Sequence, residues 1–371
     1  MDGLTDLLDN QMEEKNSVVI RNEGLNYQQT DGSHGQSTDL LKGKYSNFTQ
    51  NVKTLTVEDL KGNRDLSFEV GKYPIRDEYG GGGPDRRYKG KMMLCREDNG
   101  FRMGLVKDIH NPLQNTEMID MISPFEKELN AKLAGAGSLD GGRNIFALLK
   151  MDHRPLEPIA GDEVHGYYHV KFRHGNPNET IDVSPVTLRL ACSNGMVSFN
   201  ENNIAIPYSC RADEVLPYVQ EKAIKTTEDL LQMESDFRSM SEVEFRSEED
   251  LENYFLRAAG KTWNNPAEIR RLEAIEDPEA REEALSFFYE KLQRSRKFVQ
   301  RLYSVFAIER GSLPENKRDT VWAGYNTITN FTSHVQGSSG AARFKSNYYA
   351  GGAKTRQRGY KIGMEYVEAY A

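Results

Sequence analysis

Gly90-Lys-Met-Met-Leu-Cys-Arg-Glu-Asp-Asn-Gly-Phe-Arg-Met-Gly-Leu-Val106 sets two short apolar runs on either side of Asn99-Gly100. Asn-Gly in that setting predicts a type I′ hairpin, because both residues tolerate positive φ. The stretch therefore reads as two antiparallel strands, and the residues that follow keep the same texture to about Met196. Further strands are expected over 143–151, 163–173 and 181–192, where β-branched and aromatic residues alternate with polar ones as on a half-buried sheet. One helix is expected among them, over 116–132, bent at Pro124.

Beyond Ala212 the apolar period changes from two to between three and four. Helices are expected over 213–240, 248–259 and 278–306, the last with Leu285, Phe288, Leu292, Val299 and Tyr303 along one face. Two more are expected over 318–332 and 353–370, separated by a Gly/Ser break at Gly337–Gly340. The fold class is thus α+β, a mostly antiparallel sheet domain over 51–211 and a helical region over 212–371 that packs back on it. Residues 1–50 are rich in Asp, Asn, Gln, Gly and Ser and are expected to form a disordered arm.

Charge is distributed unevenly. The 371 residues hold 48 Lys and Arg against 56 Asp and Glu, a formal net of -8, which argues against a protein that coats DNA. Yet Thr320 to Met364 contains no acid at all, where the chain average would give about seven. That window carries Arg343, Lys345, Lys354, Arg356, Arg358 and Lys361, with Tyr348 and Tyr349 among its aromatics. Phosphates are bound by Lys and Arg and unstacked bases by ring faces, so single-stranded nucleic acid is the leading expected partner. Just upstream, 226–290 holds 18 acids against 7 bases, a solvated face or a competitor that folds over the basic segment. Trp322, Tyr325 and Thr329 fall near one helical face and are expected in the core.

Other features are weaker. His165, His169 and His174 lie within ten residues, but on a strand only the first two share a face, so a three-His metal site would need a bulge or turn. Cys192 ends an apolar strand and reads as a small buried hydrophobe, and Asn194 before Gly195 suits a tight turn. Gly135-Ala-Gly-Ser-Leu-Asp-Gly-Gly142 lacks the ending and spacing of a phosphate loop and reads as a glycine-rich connection between strands. A backbone-amide anion site is the alternative there, and Arg143 would suit either role. Three cysteines form no even disulfide framework, which points to a reducing cytoplasm. With no long apolar run, no membrane span or signal peptide is expected. Nothing in the chain calls for a cofactor, and no residue set establishes a catalysed reaction.

Four motifs in order resemble one family. They are Met93 to Val106 with Asn111-Pro-Leu-Gln-Asn115, then Ala134-Gly-Ala-Gly-Ser-Leu-Asp-Gly-Gly-Arg143, then Val186-Thr-Leu-Arg-Leu-Ala-Cys-Ser-Asn194, and Trp322-Ala-Gly-Tyr-Asn-Thr-Ile-Thr-Asn-Phe331. Over most of residues 50–371 this order and spacing is similar to the DUF932 family of phage- and plasmid-related proteins. The resemblance implies a mobile-element context in a bacterial cytoplasm and marks Asn115, Gly142, Arg143, Arg189, Cys192, Asn194, Trp322, Tyr325 and Asn326 as motif positions without assigned roles. Where relatives tend to have a His-Asp-Gly turn, this chain has His174-Gly-Asn-Pro-Asn178, and the missing Asp weakens a metal or acid–base role there. The leading expectation is a non-enzymatic accessory protein binding single-stranded DNA in replication or recombination. The alternatives are a protein–protein module or homo-oligomer, and a metal-dependent enzyme using His165, His169 and His174.

Overall fold

The computed structural model describes residues 18–21, 56–76, 87–175, 180–189, 194–198, 204–207, 212–336, 346 and 351–370. Two compact units emerge, one of Met1–Arg154, His165–Val186 and Phe199–Glu228, the other of Pro155–Val164, Thr187–Ser198 and Asp229–Ala371. The architecture is α+β, with antiparallel sheets and a helical C-terminal region. No described helix is long and apolar enough to cross a membrane.

Strand β1 (Val18–Arg21) falls inside the stretch expected as an arm, whose other residues lie outside the described ones. Helix α1 (Val57–Gly62) opens on a capping box, in which the Thr56 side chain accepts from the Asp59 amide while Asp59 accepts from the Thr56 amide. Then β2 (Val70–Arg76), β3 (Arg87–Arg96) and β4 (Arg102–Lys107) form a three-stranded antiparallel sheet. The β3–β4 hairpin is present, but its turn is not type I′. Only Gly100 has positive φ, at 71°, and its amide donates to the Arg96 carbonyl at 2.9 Å. Asn99 uses its side chain instead, accepting the Phe101 amide at 2.9 Å, so Asn-Gly closes a longer loop with the same two residues.

The helix expected over 116–132 is two short helices, α2 (Asn115–Asp120) and α3 (Ile122–Glu128). Pro124 sits in the first turn of α3, where a missing N–H leaves no helical bond unmade, so the chain restarts its helix rather than bending it. Next, β5 (Ala131–Leu139) lies between β1 and β6 (Asn144–Met151). The glycine-rich stretch is therefore mostly strand, and only Asp140–Gly142 turns. After β7 (Leu156–Ile159) come β8 (Asp162–Arg173), β9 (Thr180–Arg189), β10 (Asn194–Ser198) and β11 (Ile204–Pro207). In the first unit the strands run β1-β5-β6-β8-β9, with β11 on β9. Strands β5, β6 and β8 are buried on both faces rather than half-buried, which lets small residues such as Ala134, Ala136 and Ala147 fill them.

The second unit carries β7 and β10 and is otherwise mostly helical. It takes the end of α4 (Ala212–Glu242), then α5 (Glu248–Ala258), α6 (Pro266–Glu273), α7 (Pro278–Ser312), α8 (Val321–Asn330) and α9 (Gly351–Tyr370). Every residue of α8 from Val321 to Thr329 is buried, as expected of a helix packed on all sides. Its aromatics join those of its neighbours: the Phe237 ring lies 4.9 Å from Trp322 and 5.8 Å from Tyr325. Glycines on α8 and α9 let neighbouring side chains press against both helices. A Cβ on Gly324 would stand 2.9 Å from Phe245, and one on Gly363 would stand 2.9 Å from Met240. Of the face expected on α7, Phe288, Leu292 and Val299 are buried, and Leu285 and Tyr303 are half-buried.

Candidate functional site

The motif positions of the first unit meet at the turn after β5. Asp140, Gly141 and Gly142 all have positive φ, at 54°, 68° and 97°. A Cβ on Gly142 would lie 2.4 Å from Phe68 Cζ, so backbone conformation and close packing both exclude a side chain there. Arg96, absent from the motif positions, anchors the turn: its guanidinium donates to the Gly141 carbonyl at 3.2 Å and forks onto Asp98 at 2.9 and 2.7 Å. It is 2% exposed and stacks 3.8 Å from the Phe68 ring centroid. The same guanidinium holds the Asp98 carboxyl below its ordinary range. Arg143 donates to the Arg102 carbonyl at 3.1 Å, and its own carbonyl accepts the His174 amide at 2.8 Å. These bonds knit the turn to β3, β4 and β8, which is the work of a corner.

Asn115 and His174 complete this cluster. His174 Nε2 lies 2.7 Å from Asn115 Oδ1 and donates to it, which leaves Nδ1 as the unprotonated nitrogen. Burial pushes the His174 pKa down to about 3, helped by the nearby charges of His110 and Arg96, so the ring is neutral. Burial and Lys171 likewise lower that of His169. His165, His169 and His174 are all buried, and among the described residues no three His, Cys, Asp or Glu side chains come together as a metal ion needs. His174 turns to an amide instead. Nothing in the sequence linked these two, which lie 59 positions apart.

In the second unit the Trp322 indole N–H donates to Asp162 at 2.9 Å, pinning α8 to the start of β8. Tyr325 and Asn326 are both fully buried beside it. Burial raises the Tyr325 pKa far above the ordinary phenol range, and neither amide atom of Asn326 has a hydrogen-bond partner among the described residues. Trp322 and Tyr325 are core, as their spacing suggested. Arg189 and Asn194 fall on β9 and β10, and Cys192 lies outside the described residues.

The basic segment divides. Arg343, Lys345, Tyr348 and Tyr349 lie outside the described residues. On α9, Gly352, Arg356, Gly359, Gly363 and Val367 are buried and follow one helical face. Arg356 is 1% exposed and its charge bears on Tyr325, so it is not available to a phosphate on the surface. Lys354, Arg358 and Lys361 are exposed and follow the opposite face at intervals of four and three. None of the three makes an ion pair with a described carboxylate. Arg358 is held in place by donating to the Ala258 carbonyl at 3.0 Å and to Thr355 at 3.4 Å. The acidic helices do reach α9, but through Tyr360, whose hydroxyl donates to Asp236, and through Glu365, which pairs with Arg257. They leave the three cations open.

No curated protein matches the chain, and no solved structure does. A family model described as a domain of unknown function, DUF932, matches residues 102–360, from β4 through the middle of α9. That span includes the corner at Gly142, the Asn115–His174 pair, the Trp322 helix and the Lys354–Arg358 face, and the chain belongs to the DUF932 family.

Proposed function

We propose that this protein binds single-stranded nucleic acid along the outer face of α9, as an accessory factor of a phage- or plasmid-type element in replication or recombination. The observation that carries the reading is the row Lys354, Arg358 and Lys361, exposed and without carboxylate partners among the described residues, on a protein whose net charge is -8. Unpaired cations in a row are unusual where acids are plentiful, because each would gain by pairing with one. Seven residues of helix put the ends of the row about 10 Å apart, a span that neighbouring phosphates of one strand can meet. Arg356 takes no part. It belongs to the core, and its loss would unfold α9 rather than release a ligand.

The test is fluorescence anisotropy with a labelled oligodeoxythymidylate at low salt. The wild-type chain is expected to bind, and the combined Lys354→Ala, Arg358→Ala, Lys361→Ala variant to bind weakly, with the slope of log K on log salt reduced by about 2. A wild-type chain that does not bind, or a triple variant that binds equally well, overturns the reading.

A further inference from the structure

The middle cation of the row, Arg358, lies beside an open cleft that the sequence did not reveal. A Cβ on Gly260 would lie 3.0 Å from the Arg358 guanidinium carbon, so that guanidinium covers the Gly260 backbone. Gly260 also lines a cleft of about 460 Å³ between the α5–α6 connection, α6 and α7. Its walls include Trp263, Phe287 and Phe288, the cations Lys261 and Lys291 and a single carboxylate, Glu268. The volume falls in the range of small-ligand sites.

The rings that line this cleft have cations beside them. Phe288 is buried, as the α7 period requires, but Phe287 stands 55% exposed on the polar face of the same helix. Lys291 Nζ lies 4.4 Å from the Phe287 ring centroid, and the Arg257 guanidinium lies 5.0 Å from that of Trp263. An exposed aromatic beside cations loses no packing when a second ring covers it and gains a stacking partner.

We propose that the cleft receives one unstacked base of the bound strand, stacked on Phe287 or Trp263, while Arg358 and Lys261 hold the adjoining phosphates. This rests on the reading of α9 as a single-strand site and adds to it where a base, as opposed to a phosphate, is held. Phe287→Ala removes an exposed ring and leaves the core intact, so the folded variant is testable.

Its affinity for oligodeoxythymidylate is expected to fall roughly tenfold, with the salt slope unchanged, because stacking carries no counterion term. Its affinity for inorganic polyphosphate, which offers charge without bases, is expected to match the wild type. Trp263 emission should be quenched by the oligonucleotide. Trp322 is fully buried and supplies a steady background. Trp263→Phe should remove the quenching and keep most of the affinity, since Phe still stacks. If the wild-type chain binds no oligonucleotide, both the α9 reading and the cleft fall. If it binds, but Phe287→Ala and Trp263→Ala both bind as the wild type does, the cleft alone is refuted and the α9 reading stands.

Discussion

His174 ties a single proton to the stability of its unit. Its pKa is about 3 in the fold and near 6.5 in an unfolded chain, so below neutral pH the unfolded state takes up a proton that the native state refuses. The stability that depends on a neutral ring is complete above about pH 6.5 and is lost by about 1.4 kcal/mol per pH unit as pH falls toward 3. Between about pH 7 and about pH 5 His174 alone is expected to cost about 2 kcal/mol, read as a fall in the urea midpoint. His169, lowered in the same direction, adds to that fall. His174→Gln should flatten the dependence by one proton, and an unchanged profile would show that the ring is not the titrating group. The three clustered histidines drew attention in the sequence because of their spacing. What His174 does was settled by Asn115, a neighbour far along the chain.

At the scale of elements, α9 shows how far periodicity reaches. Its glycines Gly352, Gly359 and Gly363 lie on the buried face, and the Tyr254 hydroxyl donates to the Gly359 carbonyl at 3.1 Å. A Cβ on Gly359 would already stand 3.3 Å from Ile328, and Leu there would push α9 off α8. Gly359→Leu is expected to destabilise the protein by about 2 kcal/mol in urea unfolding and to weaken oligonucleotide binding with it, because the cation row stands on the same helix. Stability equal to the wild type would mean that α9 is not packed through this face. Arg356 was grouped with the surface cations by composition, yet it repeats with the glycines at helical spacing, so the 3.6-residue period already put it on their side. The turn at Asn99-Gly100 is the reverse case. The dipeptide signalled a hairpin correctly, and its loop length was decided by how Arg96 and Phe101 pair.

For the whole molecule, the balance of charge sets how binding responds to salt. Three phosphate contacts on a single strand predict a roughly twenty-fold loss of affinity between 50 and 200 mM salt. If the same cations instead held a second copy of the chain, the mass measured by light scattering would fall as salt rises with no nucleic acid present. A mass that stays constant across that range is the outcome expected here. The fold class, the change from strand to helix near Ala212, the family and the acid-free basic stretch are all legible along the chain, because each is a local pattern or a local composition. The tertiary structure alone decided that Arg96 anchors the glycine turn and that Asp162 receives the Trp322 indole from 160 residues away. It alone also brought Arg358 against Gly260, a wall residue of an aromatic cleft. Period and composition report which face a residue takes, whereas pairing between distant segments depends on how the intervening chain packs, and no local pattern encodes that.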